Sequence, residues 1–349
     1  MATNGTGKII LPVALSKSIS RRIVSGLARE ACLTPSWNHN LPPERDGALQ
    51  SEGVVVNHRS GPSPFSPDNQ DGYHRWRDAK LEGYPQSVAD LMVEITDPLA
   101  LTKGERAKII ALCAQANMAV YRLAGNLQGV DHLHVLPAIM EQLGIRDLDH
   151  NLGAGADGLS SLSPGGAGYA RFSDYVPYRK SPIGWHTDGY YHPSDRQIRT
   201  LCIHCHRPAT QGGENDLWDH ELAYIRFRDE NPELIGQLMD PDIMTIPARM
   251  EEGEVARPER RGPVFSIHPG DGQLHMRYTH RTISISWSQD PTAQEAVKRL
   301  RGMFAAPGPH VFRGRLEAGW GLICNNVLHT RAAFSDAPGE EKRLLYRAR

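Results

Sequence analysis

The sequence predicts a mainly β fold, a sandwich or barrel with helices packed on its outside. After residue 168, short β-type runs alternate with turns, a pattern typical of sandwiches and barrels. These runs cover 169–176, 183–188, 198–206, 243–248, 264–268, 274–278, 282–287, 310–313, 319–324 and 343–347. Two helices should interrupt the strands, one after Asp219 and one after Asp290-Pro291, where an N-cap residue precedes proline at the first helical position.

The N-terminal half has helical patterns instead. Thr102-Lys-Gly-Glu105 is a capping box, and apolar residues follow it at helical spacing as far as Val120. A second helix should cover 131–143, with Pro137 delaying its start or bending it. We therefore expect 1–168 to be a helical and loop region packed on a β-rich core at 169–349, the whole forming one compact domain.

Shorter elements complete this half. A strand is predicted at 9–15, followed by a helix that starts near Ser16 or Ser18. The region 34–85 is rich in loop-forming residues but should wrap against the body through its aromatic residues, with a turn or two of helix at 73–81. The Gly/Ser-rich stretch 153–168 should be a connecting segment.

Composition points to a small-molecule partner. The 349 residues carry a formal net charge of −1, so no global field attracts nucleic acid or an anionic membrane. No export signal and no apolar run of membrane-spanning length is present, so we expect a cytoplasmic protein, with homo-oligomer formation left open. The five cysteines, an odd number, favour reduced thiols over a disulfide framework.

A candidate metal site begins at His186-Thr-Asp188, which ends a predicted strand. Residues two apart on a strand point to the same side, so the imidazole and the carboxylate should face one point. Of the sixteen histidines, only His186 is followed two residues later by an acid. With a distal histidine at His329, these residues could form a 2-His-1-carboxylate triad, which holds Fe(II) and leaves coordination positions open.

Four features in order resemble the TauD/TfdA-like (taurine dioxygenase) family of Fe(II)- and 2-oxoglutarate-dependent oxygenases. They are His186-x-Asp188, a Gly-Gly segment at 212–213 before the helix at Asp219, Val-Leu-His329-x-Arg, and Arg343-Leu-Leu-x-Arg347. The resemblance covers roughly the second half of the chain. It implies a double-stranded β-helix, or jelly roll, and a catalytic triad of these two histidines and the aspartate.

The resemblance also implies the cosubstrates and the reaction. 2-Oxoglutarate would take two metal positions and O₂ the third, with release of succinate and CO₂. Because the acid ligand is Asp188 and leaves no place for halide, the family chemistry expected here is hydroxylation or a related oxidation. Arg343 would hold the distal carboxylate of 2-oxoglutarate, as a bidentate cation suits a carboxylate. Its gap from His329 is slightly longer than usual in the family, which leaves Arg347 or Arg331 as alternatives.

Further residues are candidates for ligand binding. Asn215 stands where the family commonly has a threonine that contacts the cosubstrate, and it could donate the same hydrogen bond or be a turn residue. Arg347 should share a strand face with Arg343 and, if it is unpaired, bind an anionic group of the substrate. Tyr190 and Tyr191 follow the triad and could cover the apolar part of the substrate.

Three other interpretations stay open at this point. A jelly-roll protein that binds metal without turnover, such as a sensor, would share the triad, and a cupin-like metal hydrolase or isomerase would not need Arg343. Cys202-Ile-His-Cys205-His206 matches the pattern for covalent haem attachment, but its surroundings favour a core strand.

Overall fold

The computed structural model describes residues 63–151, 153–164, 175–251, 254–281, 283 and 285–349, all within one compact unit. The strand expected at 9–15 and the helix after it lie outside the described residues, as does most of the run at 169–176. None of the helices in the described ranges combines the length and the apolar character needed to cross a bilayer.

The helices are α1 Gln70–Leu81, α2 Lys103–Ala116, α3 His132–Gln142, α4 His220–Glu230, α5 Ile235–Leu238 and α6 Pro291–Ala305. The strands are β1 Met92–Ile95, β2 Met118–Leu123, β3 Ser160–Leu162, β4 Ile183–His186, β5 Leu201–Arg207, β6 Gln211–Gly212, β7 Asn215–Trp218, β8 Met244–Ile246, β9 Arg249–Glu251, β10 Glu254–Arg257, β11 Arg260–Gly262, β12 Phe265–Ile267, β13 Leu274–Met276, β14 Ser286–Trp287, β15 Val311–Gly314, β16 Trp320–Cys324, β17 Leu328–Arg331, β18 Phe334–Ser335 and β19 Leu344–Ala348.

Two sheets form the body of the fold. A six-stranded sheet has the order β1-β2-β16-β5-β19-β3, and a four-stranded sheet has the order β15-β7-β17-β4. Leu201 and Leu322 of the larger sheet belong to one buried cluster with Trp185, Trp218 and Leu328 of the smaller sheet. This shared core is that of a β-sandwich, as the sequence predicts.

Helices α2 and α3 pack on the outer face of the larger sheet. Their apolar residues, such as Ile109 and Ile139, join a second buried cluster with Tyr121 and Ile323 of the sheet. The predicted starts of both helices are confirmed, since Thr102 forms the capping box of α2 and Asp131 caps α3, which contains Pro137.

The predicted end of α2 at Val120 is wrong. The helix stops at Ala116 because Asn117 adopts a left-handed conformation, with φ of 57°. The next residues form β2, which pairs with β1 in parallel and with β16 antiparallel. The first four residues of β2 are all buried, and a short apolar run of this kind cannot be assigned to helix or strand by periodicity alone.

Other elements of the N-terminal half extend the core. Phe65 and Tyr73 are buried, which confirms that the described part of this loop region, 63–85, packs against the body, whereas 34–62 lies outside the described residues. Helix α1 is longer than the expected turn or two. The stretch 153–168 is not only a connection, because β3 within it pairs with β19. Strands from both sides of residue 168 thus share one sheet, while the domain boundary itself stays a prediction.

Candidate metal centre

The two predicted histidines meet across neighbouring strands of the smaller sheet. His186 ends β4 and lies directly opposite His329 of β17 in the antiparallel register. Asp188 follows in the turn after β4, and its Oδ1 is 3.8 Å from Nε2 of His186 and 3.9 Å from Nε2 of His329. One ligand atom from each residue lies within 4.8 Å of the others. Around one ion, bonds of about 2.1 Å would place neighbouring ligand atoms about 3 Å apart, so the three side chains would move together by about 1 Å to hold a metal.

Both imidazoles present Nε2 towards this point because their other nitrogen is occupied. Nδ1 of His186 donates to the carbonyl of Gly184, and Nδ1 of His329 donates to the carbonyl of Val327, each at 2.9 Å. A carbonyl only accepts, so each Nδ1 carries the hydrogen and each Nε2 has its lone pair free. Burial, and then the neighbouring His329, lower the pKa of His186 to about 3, which keeps its ring neutral.

Asn326 fixes the backbone of Asp188 and was not identified from the sequence. Its Oδ1 accepts from the backbone N–H of Asp188 at 2.8 Å, and its Nδ2 donates to the carbonyls of Asp188 and Ile198. Asn326 has a φ of 51°, a left-handed conformation in which asparagine is enriched. The Asn-Asn pair just before Val-Leu-His329 is the only signal that the sequence offers.

The turn after Asp188 requires glycine. Gly189 has a φ of 69°, and a Cβ placed there would collide with the side chain of Ile198. A larger residue would therefore push away the segment that Asn326 holds. The glycine lets the chain reverse directly behind the carboxylate.

The second oxygen of Asp188 faces two buried arginines, Arg347 in β19 and Arg349 just after this strand. Its Oδ2 is 3.1 Å from Nη1 of Arg347 and 3.5 Å from Nη1 of Arg349. Arg349 also pairs with Asp149 at 2.8 Å. Burial alone would raise the pKa of Asp188, but the two guanidinium groups hold it well below its usual range. Oδ2 of Asp188 thus interacts with two cations, while Oδ1 faces the two histidines.

This pairing changes the interpretation of Arg347. The sequence argument for an anionic substrate required an unpaired Arg347, and that premise is wrong because Arg347 pairs with Asp188. Arg349 was overlooked, although the even spacing that predicts a shared face for Arg343 and Arg347 extends to it. A substrate-binding role for Arg347 stays a prediction.

Arg343 lies next to the Gly-Gly segment, as predicted for a cosubstrate arginine. Its guanidinium stacks on Phe334 with the carbon 4.8 Å from the ring centre, and a Cβ on Gly213 would be 3.8 Å from its Nε. In the described part of the chain, no carboxylate is within ion-pair distance of this guanidinium. Burial lowers the pKa of Arg343, but an arginine remains charged.

The alternative cosubstrate residue, Arg331, is bound elsewhere. Its Nη1 donates to the carbonyl of Pro177 at 2.9 Å, and its Nη2 donates to the carbonyls of Arg179 and Ser181. These bonds fasten the segment that leads into β4. Arg331 is therefore a positioning residue for the strand that carries His186.

Asn215 lies between His329 and Arg343. It lines an apolar cavity of about 50 Å³ between the sheets together with His329, and also a smaller polar pocket together with Arg343. Its Nδ2 donates to the carbonyl of Thr330 at 2.6 Å, so one hydrogen of the amide is used within the protein and one remains.

Tyr190 and Tyr191 stand beside the site at right angles to each other. Their ring centres are 5.4 Å apart, and both side chains are half-buried. The hydroxyl of Tyr191 accepts from Nη2 of Arg349 at 2.9 Å, and that of Tyr190 accepts from Nη1 of Arg281 at 3.3 Å. The pair thus connects the carboxylate of the triad with a group of arginines further out.

Comparison with known proteins agrees with this site. The model of the taurine catabolism dioxygenase TauD/TfdA family matches residues 153–349, more than half of the chain, including all three residues of the candidate triad. The chain belongs to this family. A taurine dioxygenase from Burkholderia xenovorans superposes with a TM-score of 0.50 at 18% identity, over 76% of this chain and 88% of that one. This likeness confirms the predicted double-stranded β-helix.

Two curated relatives match this TauD/TfdA family member over part of their own length. A uridine-5'-phosphate dioxygenase of Streptomyces sp. is 32% identical over 174 residues, which make up 47% of this chain and 60% of the relative. A uridine-5'-phosphate dioxygenase of Amycolatopsis sp. is 26% identical over 166 residues, or 46% of this chain and 58% of the relative. The chain thus matches about three fifths of the length of each.

Proposed function

We propose that this protein is a non-haem Fe(II)- and 2-oxoglutarate-dependent dioxygenase that hydroxylates a small, anionic organic substrate and releases succinate and CO₂. The proposal depends above all on the cluster of His186, Asp188 and His329 in a member of this family. Two imidazoles and one carboxylate with open positions are the typical ligand set for Fe(II) in oxygenases.

The donor set fits Fe(II). Both histidines are neutral with free Nε2 atoms, and Asp188 is ionised with Oδ1 on the same side. The backbone carbonyls behind the rings and the arginines behind Asp188 are partners of the kind that orient metal ligands. When bound, iron supplies the activation of O₂ coupled to decarboxylation of 2-oxoglutarate, and the protein positions the reactants.

We assign the distal carboxylate of 2-oxoglutarate to Arg343. Three observations support it: the absence of a carboxylate partner in the described residues, the stacking on Phe334 that fixes the guanidinium plane, and the position beside Asn215. Arg331 and Arg347 are each committed to partners within the protein. Asn215 can donate its remaining amide hydrogen to the same ligand.

A phosphate ester is the first substrate class to test, because the curated relatives are named for uridine-5'-phosphate. Tyr190 and Tyr191 could pack against the apolar part of such a molecule. In this proposal the anion of the substrate needs cations other than Arg347, whose charge is already balanced by Asp188.

The test is anaerobic titration of the Fe(II)-loaded protein with 2-oxoglutarate. A weak metal-to-ligand absorption band is expected, followed by substrate-dependent succinate formation when O₂ and uridine-5'-phosphate are added. Arg343→Ala should raise the 2-oxoglutarate concentration needed for the band, since a charge-assisted bidentate pair is lost. Lys342→Ala, on an exposed neighbour, is the control and should behave like the wild type.

Each negative result points to a different function. Absence of both the band and 2-oxoglutarate binding would favour a jelly-roll protein that binds metal without turnover. A metal-dependent activity indifferent to Arg343→Ala would favour a cupin-like hydrolase or isomerase.

A further inference from the structure

A group of arginines, Arg257, Arg260, Arg277 and Arg281, lies next to Tyr190 and Tyr191. Arg277 donates from Nε to the carbonyl of Tyr190 at 2.7 Å, and Arg281 donates to the hydroxyl of the same tyrosine. Arg257 is near both tyrosines and also near Arg249 and Arg260, since all of them affect its pKa, which burial lowers most. Several cations therefore meet a few residues beyond the metal-binding Asp188.

The hairpin of β9 and β10 adds a further cation to these surroundings. Arg249 and Arg257 are cross-strand partners in its register. Like charges directly opposite each other destabilise a β-ladder. Nη2 of Arg257 donates to the carbonyl of Pro247 at 2.7 Å, so a neutral group receives this bond.

In the described part of the chain, no carboxylate forms an ion pair with Arg257, Arg260, Arg277 or Arg281. The contrast with the next residue is sharp, because Arg261 pairs with Glu259 and lies 3.8 Å from Asp242. Arg260 has a buried Nε without a hydrogen-bond partner. The repulsion within this group is thus left uncompensated by the described residues, and a bound anion would offset it.

Not every arginine of the group is available for a ligand. Arg277 makes four bonds to the carbonyls of Tyr190, Met244, Gly262 and Arg260, and therefore ties the surrounding strands together. Arg257, Arg260 and Arg281 have unused N–H groups, because each guanidinium carries five. Planar guanidinium groups suit the oxygens of a phosphate.

We propose that Arg257, Arg260 and Arg281 form the subsite for the phosphate group of a phosphate-ester substrate. That the bound phosphate ester is then oxidised rests on the proposed function, whereas binding of its phosphate group does not. The two tyrosines would connect the subsite to the metal centre, since Tyr191 contacts Arg349 beside Asp188 while Tyr190 contacts Arg281. Arg347 would then serve Asp188 rather than the phosphate.

The consecutive arginines 260 and 261 allow a matched comparison by calorimetry on the full chain. Uridine-5'-phosphate, uridine and inorganic phosphate are titrated separately into the wild type, Arg260→Gln and Arg261→Gln. We expect the dissociation constant for uridine-5'-phosphate to rise at least tenfold in Arg260→Gln, because charge-assisted bonds are lost, and to stay within twofold in Arg261→Gln. Uridine should bind both variants alike.

Arg281→Gln gives a second measurement in case Arg260→Gln does not fold, because Arg281 is exposed and its replacement disturbs no buried contact. It should weaken uridine-5'-phosphate binding and leave uridine binding unchanged. Equal losses in Arg260→Gln and Arg261→Gln would overturn the subsite, as would wild-type protein that binds neither uridine-5'-phosphate nor inorganic phosphate.

The outcome is separable from that of the proposed function. The 2-oxoglutarate absorption band depends on the metal centre and Arg343, and it should persist in Arg260→Gln. Phosphate binding that depends on Arg260 without any turnover would support the subsite and reject the dioxygenase. Turnover of uridine-5'-phosphate with an unchanged KM in Arg260→Gln would do the reverse.

Discussion

The three candidate ligands differ in what else they hold together. His186→Ala and His329→Ala each remove one nitrogen ligand and one bond to a local carbonyl, so we expect loss of bound iron and of turnover with the fold retained. Asp188→Ala should also lose iron but, in addition, leaves Arg347 without its acid and Arg349 with Asp149 alone. Breaking such a buried pair costs about 3–5 kcal/mol of stability.

Iron content and urea unfolding of the metal-free variants check this difference. Asp188→Asn is the control, because it keeps the shape and can still accept from Arg347. It should recover part of the stability but not the iron. Normal iron content in any of the three alanine variants would remove that residue from the ligand set, and equal stability of all three would contradict the role given to Arg347.

Asn326 is expected to control iron affinity without touching the metal. Asn326→Gly keeps the left-handed backbone accessible but loses all three bonds that hold Asp188 and Ile198. Loss of such support for a metal ligand lowers affinity roughly 10- to 100-fold. Asn325→Ala is the matched control, because the neighbouring side chain bonds to Cys113 and Asn117 instead. Iron titration should distinguish the two variants, and similar iron affinities would contradict the role of Asn326 in holding Asp188.

At the scale of elements, α3 is attached to the larger sheet partly through buried histidines. Nε2 of His204 in β5 lies 2.9 Å from Nδ1 of His132, and its Nδ1 lies 3.0 Å from the hydroxyl of Tyr121 in β2. His132 also stacks on His206 with ring centres 4.5 Å apart. The haem-like Cys-x-x-Cys-His segment thus lies in a core strand, and its histidines serve the packing of a helix.

This packing predicts an acid-sensitive fold. Burial, followed by His132 and His206, lowers the pKa of His204 from 6.5 to about 3. Because the folded-state pKa is the lower one, the contribution of His204 is complete above about pH 6.5 and is lost as pH falls towards 3. Between pH 7 and 5, His204 takes up a proton in the unfolded chain but stays neutral in the folded chain, which lowers the free energy of unfolding by about 2 kcal/mol.

Urea unfolding at pH 7 and pH 5 measures this contribution. His204→Asn should be less stable than the wild type at pH 7, yet its stability should fall by about 2 kcal/mol less between the two pH values. His134→Asn, in an exposed pair with Asp131, should leave the difference unchanged. An unaltered pH difference in His204→Asn would show that another group causes the acid sensitivity.

Local chemistry explains which elements could be predicted. Capping residues mark the starts of α2, α3, α4 and α6, because Thr102, Asp131, Asp219 and Asp290 each accept from the first helical turn. The end of α2 could not be predicted from apolar spacing, because the first four residues of β2 are buried on both faces of the sheet. Strand β17 was missed for a similar reason, since three of its four residues are buried and no alternation marks it as a strand.

The candidate site, like the fold, could be predicted only in part. The triad was predictable because its ligands are of rare types at a strand end, two residues apart, with a distal partner in a recognisable motif. The place of Arg257 and Arg260 near Tyr190 was not, because it depends on how the β9–β10 hairpin and β11 fold against the strand of Arg277. No periodicity in the sequence indicates that these charges meet.

At the scale of the whole molecule, β1, β2 and β3 complete the larger sheet, which packs on the sheet that carries the candidate metal site. The family match begins at residue 153, yet β16 pairs with β2 along its whole length. The closest approach is at Gly321, where a Cβ would collide with the ring of Tyr121, its register partner, which is fully buried. Glycine is therefore required in the middle of this strand because a neighbouring ring approaches it closely, and not because the chain turns there.

Gly321→Ala should therefore destabilise the full protein by about 3 kcal/mol, the upper end of the usual cost of overpacking, because the ring has no space to retreat. Tyr121→Leu, which loses the bond to His204, should be destabilising as well. In the double variant the smaller side chain makes room for the new methyl group, so the combined cost should fall short of the sum by about 1–3 kcal/mol. Urea unfolding of the wild type, both single variants and the double variant measures this coupling. Strictly additive costs would mean that the two halves of the chain meet at this sheet without depending on each other's packing.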